Sequence, residues 1–227
     1  MNSGEPTHGD ASGAAARIEL GLFASRMVAL CEEMGAVLGR AAFSPNIRDR
    51  LDYSCAAFDA SGALLGQATH IPVHLGSMAF AMTDLAASRN WAPGDQLVLN
   101  DPFRGGTHLP DITLIAPAFL DGELVGFCAN RAHHADIGAT APGSMPVSTR
   151  PEEEGLLIPP TLIVRNGSWR RSVLDHLLGG LRDGEGAFGD FSAQAAANRL
   201  GVRRLEALAG SLGADAFRTR AEALQDY

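Results

Sequence analysis

Residues 112–130 read ITLIAPAFLDGELVGFCAN: two apolar, β-rich runs interrupted only by Asp121-Gly122. Asp-Gly between such runs is a strong short-range signal for a tight hairpin, because both central residues of the favoured turn need positive φ. The stretch is therefore predicted to be two antiparallel strands. In such a pair the start of the first strand and the end of the second lie side by side, away from the turn. THLPD leads into the first strand and NRAHHAD closes the second. His108 and Asp111 are thus expected beside His133, His134 and Asp136, whatever the rest of the fold. Pro110 stiffens the short link between His108 and Asp111. Imidazole and carboxylate without thiolate suit zinc, manganese or iron, and lean towards a catalytic rather than a structural site. The same residues also serve as ordinary hydrogen-bonded loop partners, and both readings stand at this level.

Elsewhere the chain alternates between helical and extended patterns. Leu20, Phe23, Met27, Leu30, Met34 and Leu38 recur at threes and fours, which predicts a helix over 16–41 that stops before Ser44-Pro45. YSCAAFDASGALLGQ reads as a second hairpin, and SMAFAMTDLAAS as a helix with Ser77 as its N-cap. Pro93-Gly94-Asp95 marks a turn before the strand QLVLN, and LIVRNG is a further short strand. Residues 135–161 have no period and form a long loop; 171–227 are helical, most clearly in AQAAANRLGVRRLEALAG. The class expected is α+β: a long N-terminal helix, antiparallel hairpins forming a mixed sheet, and a helical C-terminal segment. Residues 1–15 are expected to be a disordered leader and 16–227 the folded part. The C-terminal helical pattern shows no stop signal.

Composition narrows the function classes. With 46% hydrophobic residues in 227, the chain can bury a core. A net charge of −8 argues against a nucleic-acid surface. No segment approaches a membrane span, and the first residues lack the basic and apolar regions of a signal peptide, which points to the cytoplasm. Cys31, Cys55 and Cys128 are far apart, form no CxxC pair and read as small core residues. FRGGTH lacks the Lys-Ser/Thr tail of a P-loop, so its glycines are read as letting the backbone turn sharply near His108. No G-x-S-x-G elbow is present. Pro72 argues against a helical metal pair in HIPVH, so His70 and His74 are read as supporting groups. Asp101 is read as a turn former.

Several long motifs then point in one direction. HIPVHLGSM, LNDPFRGGTHLPDITLIAP, GFCANRAHHADIG, PGSMP and EEGLLIPP, with SPNIRDRLDYSCAAFD and AQAAANRLGVRRL, run in one order over 17–227. Together they resemble the hydantoinase B family. That family includes B subunits of N-methylhydantoinase-type enzymes, the C-terminal half of ATP-dependent 5-oxoprolinase, and the related large subunits of acetone carboxylase. The resemblance implies a hydrolase of cyclic amides working in a hetero-oligomer. A hydantoinase A-type partner uses ATP to phosphorylate the carbonyl oxygen of a lactam or imide, and the B part acts on that intermediate with a divalent metal. His108, Asp111 and His133 map onto metal-binding positions. His134 and Asp136 become neighbours for acid–base work, and Asp49 a further ligand candidate. Family members are longer, so the chain corresponds to their N-terminal portion. An acetone-carboxylase-like subunit and a non-catalytic fragment are the alternatives.

Overall fold

The computed structural model describes residues 8–69, 71, 74–141 and 146–226. The long helix α1 runs His8–Ala41, so residues 8–15 form its opening turns rather than a disordered leader. Ala14, Ala15 and Ala16 supply the reason, alanine being the best helix former; residues 1–7 lie outside the described residues. Phe23, Met27, Leu30, Met34 and Leu38 are buried along one face, as the periodicity predicts. After the short helix α2 (Pro45–Arg48) come strands β1 (Tyr53–Asp59) and β2 (Leu64–Thr69). Helix α3 (His74–Leu85) follows, then β3 (Gln96–Leu99) and a 3₁₀ turn at Pro102–Arg104. Ser77 is not the cap of α3. The helix begins three residues earlier, and the Ser77 hydroxyl donates to the His74 carbonyl within the first turn.

The predicted central hairpin is β4 (Asp111–Leu120) and β5 (Glu123–His133). Asp121 and Gly122 both have positive φ, 51° and 86°. The long loop after β5 carries one short helix, α4 (Pro151–Glu154). Strands β6 (Thr161–Arg165) and β7 (Ser168–Trp169) precede the helices α5 (Arg171–Gly179), α6 (Gly184–Leu212) and α7 (Ala214–Gln225). The seven strands form one sheet in the order β2-β1-β5-β4-β3-β6-β7. Every pairing is antiparallel, so the α+β class holds and the sheet is not mixed. All the crossovers that would set strands parallel are replaced by hairpins or by returns from the opposite end.

Successive strand residues face opposite sides, and the two sides are covered differently. Cys55, Ala57, Cys128 and Ala132 face α1 and α6, where they join Met27, Met34, Ala197 and Leu205 in one core. Ala56, Phe58, Ile115, Phe127 and Ala129 face α3 and meet Met78, Ala81 and Met82. Val98, Ile112, Leu114 and Ile163 pack with Leu174 and Leu177 of α5 and Phe191 of α6. The three cysteines are buried and unpaired, and burial pushes the Cys31 thiol up to about 12. No helix among the described residues is long and apolar enough to cross a membrane.

One irregularity fixes the central pairing. From the turn, Leu120 pairs with Glu123 and Phe119 with Leu124, but Ala118 pairs with Gly126. Val125 is an extra residue in β5, a bulge of the kind that shifts register by one. Were β5 to run on unbulged with Val125 in the ladder, the initial register would set Asp111 opposite Ala132; with the bulge, Asp111 stands opposite His133. Gly126 sits where β1 comes close, and a Cβ there would lie 2.4 Å from the Phe58 carbonyl oxygen. Gly126→Ala is expected to lower the unfolding free energy by about 1–3 kcal/mol, read as a lower urea midpoint. An unchanged midpoint would mean that the bulge yields freely to the added methyl group.

Candidate metal centre

Asp111 opens β4 and His133 closes β5, and their side chains share the α3 side of the sheet. The Asp111 carboxylate is nearly enclosed, and imidazoles approach it from three directions. On Oδ1 it meets His108 Nε2 at 2.9 Å and His133 Nδ1 at 3.2 Å. On Oδ2 it meets His74 Nε2 at 3.2 Å and accepts from the Thr107 hydroxyl. A second carboxylate, Asp52, stands 3.8 Å from His133 Nδ1. Asp52 also binds its neighbour through the backbone, its carbonyl accepting from the His133 N–H at 3.0 Å. His108, Asp111 and His133, and again Asp52, His74 and Asp111, have donor atoms within 4.8 Å of one another. The His108 side chain is 40% exposed and Asp52 26%, against 1–4% for His74, Asp111 and His133. The cluster therefore opens to solvent on the His108–Asp52 side.

Local sequence explains how the loop reaches this point. Asp101 accepts from the Phe103 N–H and starts the 3₁₀ turn. Gly105 has φ 93°, and a Cβ on it would strike Ala81 of α3; one on Gly106 would strike the Asn100 carbonyl at 2.3 Å. Only glycine lets the loop fold this tightly, which brings Thr107 and His108 back over β4. Asn100, wholly buried, donates to the Leu109 and Leu156 carbonyls and accepts from the Ile158 N–H, tying the loop to the 156–158 segment. Below the cluster lies the fully buried Arg131. Its guanidinium donates to Thr113 at 2.8 Å, to the Gly105 carbonyl at 2.6 Å and to Ser77. Burial pulls this guanidinium down to about 10, with Asp111 opposing the fall.

The structure brings together three of the residues singled out in the sequence and separates the others. His108, Asp111 and His133 meet as the hairpin argument requires. Asp49 lies outside the group: it is exposed and paired with Arg48 at 2.9 Å. The carboxylate in that neighbourhood is Asp52, three residues on, which the sequence reading passed over. His134 is wholly buried but points towards α6, with Nε2 2.9 Å from Gln194 Oε1. Asp136 accepts the backbone N–H groups of Gly138, Arg182 and Asp183 and fastens two loops together. His74 caps the inner side of the cluster, its Nδ1 3.1 Å from the Ser54 hydroxyl; its partner histidine in HIPVH, His70, lies outside the described residues. Spacing gave no signal for Asp52 and set His74 only among the supporting groups, because the approach of both depends on β1 and α3 packing beside β5. A cavity of about 210 Å³ lies at the turn end of the hairpin between Leu124 and Phe217, and no histidine lines it.

The chain and its fold fall within a recognised group of proteins. The chain belongs to the hydantoinase B/oxoprolinase family, whose model matches residues 16–227. It is 44% identical over 184 residues to an uncharacterized protein, MJ0963, of Methanocaldococcus jannaschii, covering 78% of this chain and 32% of that one. It is 40% identical over 207 residues to the 5-oxoprolinase of Saccharomyces cerevisiae, covering 84% of this chain and 16% of the yeast protein. Among solved structures, the ATP-dependent caprolactamase from Pseudomonas jessenii superposes with a TM-score of 0.84 at 32% identity, over 92% of this chain and 37% of that one. The chain thus spans about a third or less of the length of these curated relatives.

Burial alone would raise the Asp111 carboxyl, but donation from His108, His133, His74 and Thr107 outweighs it and holds the group far below the ordinary range. Its contribution to stability is complete where both folded and unfolded chains carry the ionised form. Below about pH 4 the unfolded carboxyl takes up a proton that the folded one refuses, so stability falls by up to about 1.4 kcal/mol per pH unit. Metal-free protein is expected to lose stability more steeply between about pH 5 and pH 3 than Asp111→Asn, which lacks this group. Parallel slopes in chemical denaturation would contradict the assignment.

Proposed function

We propose that this chain is the metal-binding part of a B-type component of an ATP-dependent cyclic-amide hydrolase. Its substrate is a lactam or cyclic imide that a hydantoinase A-type partner has activated by phosphorylation, in a cytoplasmic hetero-oligomer. The observation that carries the reading is the convergence of His108, His133 and His74 on the buried Asp111 carboxylate. Such a donor set fits a divalent cation of the zinc, manganese or iron type. His108, Asp111 and His133 would hold it. When bound, the cation supplies Lewis acidity, polarising a carbon–oxygen bond and making water nucleophilic near neutral pH.

The chain's own residues divide the remaining work. His74 and Thr107 hold Asp111 Oδ2, which leaves Oδ1 facing His108 and His133. Ser54 in turn orients the His74 ring. Asp52, on the open side and beside His133 Nδ1, is placed to take the proton from an attacking water. His108, the most exposed member, borders the path by which substrate arrives. His134 and Asp136 do not reach the cluster, and their contribution is to the fold around it. Activation by a partner would supply the better leaving group that an unactivated amide lacks.

Purified chain is expected to hold about one divalent ion after reloading, lost in His108→Ala and in His133→Ala. Metal analysis finding none in the intact chain would sink the site assignment. Co-expression with an A-type partner should then give ATP-dependent ring opening of 5-oxoproline or a hydantoin, abolished by Asp111→Asn. Ring opening that survives Asp111→Asn would remove the cluster from the chemistry.

A further inference from the structure

Helix α6 presents a buried polar stripe to the end of the sheet. Asp190, Gln194 and Asn198 follow one another at intervals of four residues and are at most 1% exposed. Each meets a different partner. Asp190 accepts from the Phe43 and Ser44 N–H groups and from the Ser44 hydroxyl, and that hydroxyl oxygen accepts from the Ala135 N–H. Asn198 accepts from Asn130 at 2.8 Å and lies 3.4 Å from Gln96. Gln194 is different, because it touches both strands that carry the cluster. Its Nε2 donates to the Ile112 carbonyl at 2.8 Å, and its Oε1 lies 2.9 Å from His134 Nε2.

Since the Gln194 nitrogen is committed to Ile112, its oxygen accepts from His134, which therefore carries its proton on Nε2. His134 Nδ1 has no partner among the described residues, and its ring rests against Phe191. Burial pulls this imidazole towards its neutral form, against the opposing pull of the nearby Asp190 carboxylate and of the hydrogen bond to Gln194. Ile112 immediately follows Asp111 and His134 immediately follows His133. The His134 N–H, for its part, donates to the Pro110 carbonyl on the other side of Asp111. One amide on α6 thus grips the residues next to each member of the facing pair, from the sheet side opposite to the cluster.

We propose that Gln194 is a positioning residue for the cluster: by holding the Ile112 carbonyl and the His134 imidazole together, it fixes the separation of Asp111 and His133. The proposal rests on the reading of the cluster as a cation site for its consequence, but its geometry stands apart from it. Loss of the Gln194 amide lets the ends of β4 and β5 part, and partners of this kind lower metal affinity by about 10–100-fold when removed.

The test compares Gln194→Met with Asn198→Leu in the whole chain. Both remove a buried hydrogen-bonded amide from the same helix face, but only Gln194 reaches the strand ends. Imidazole ¹⁵N resonances of His108 and His133 in metal-free protein are expected to move in Gln194→Met and to stay in place in Asn198→Leu. Mn²⁺ affinity, read by titration, should fall by about tenfold or more in the first variant only. Unmoved resonances in Gln194→Met, or equal shifts in both variants, would overturn the proposal. Should Gln194→Met fail to fold, Gln194→Asn, which keeps the amide but withdraws it by one methylene, is held to the same comparison. If the unaltered chain binds no Mn²⁺ while the resonances respond as described, the cation reading fails and the positioning stands.

Discussion

A buried carboxylate needs partners, and the demand of Asp111 for them organises this end of the molecule. An ionised group taken out of water is strongly disfavoured unless hydrogen-bonded on all sides. Asp111 satisfies that demand with side chains from β5, from the start of α3 and from the loop that precedes β4. Each of those segments is therefore tied to one point, and a shift of any one would leave the carboxylate short of a donor. Arg131 repeats the arrangement two residues along β5 on the same side, reaching the same loop through Gly105 and the same helix through Ser77. The loop and α3 are thus fastened twice, once by an anion and once by a cation.

That construction explains what was legible in the sequence. The Asp121-Gly122 turn and the apolar runs on either side predict β4 and β5, and strand pairing alone then brings His133 to Asp111. His108 follows because only two residues separate it from Asp111. The helical period over Phe23, Met27, Leu30, Met34 and Leu38 likewise reports a face that packs on the sheet. These are local patterns or contacts between neighbours along the chain.

What escaped depends on distant packing. Asp49 and Asp52 are alike in composition and lie three apart; only the turn after α2, where Leu51 takes a φ of 55°, decides that Asp52 faces His133. His74 reaches Asp111 because α3 starts at His74 itself, and the stretch carries no cap signal that marks this start. His134 and Asp136 share a short motif with His133, yet one turns to α6 and the other to the loop before it. Adjacent residues at a strand end point to opposite sides, so a cluster in sequence becomes two sites in space. Gln194 lies in a helix whose small apolar residues dominate its pattern, and nothing local marks it as a neighbour of His134.

Hairpin tips usually tolerate added or deleted residues better than any other part of a sheet. Here the bulge at Val125 removes that tolerance. Adding one residue between Leu124 and Phe127 while a single residue stays bulged would leave the turn itself intact, yet it would set Ala132 opposite Asp111 in place of His133. A length change at one end of the hairpin would therefore be felt as a change of ligand at the other.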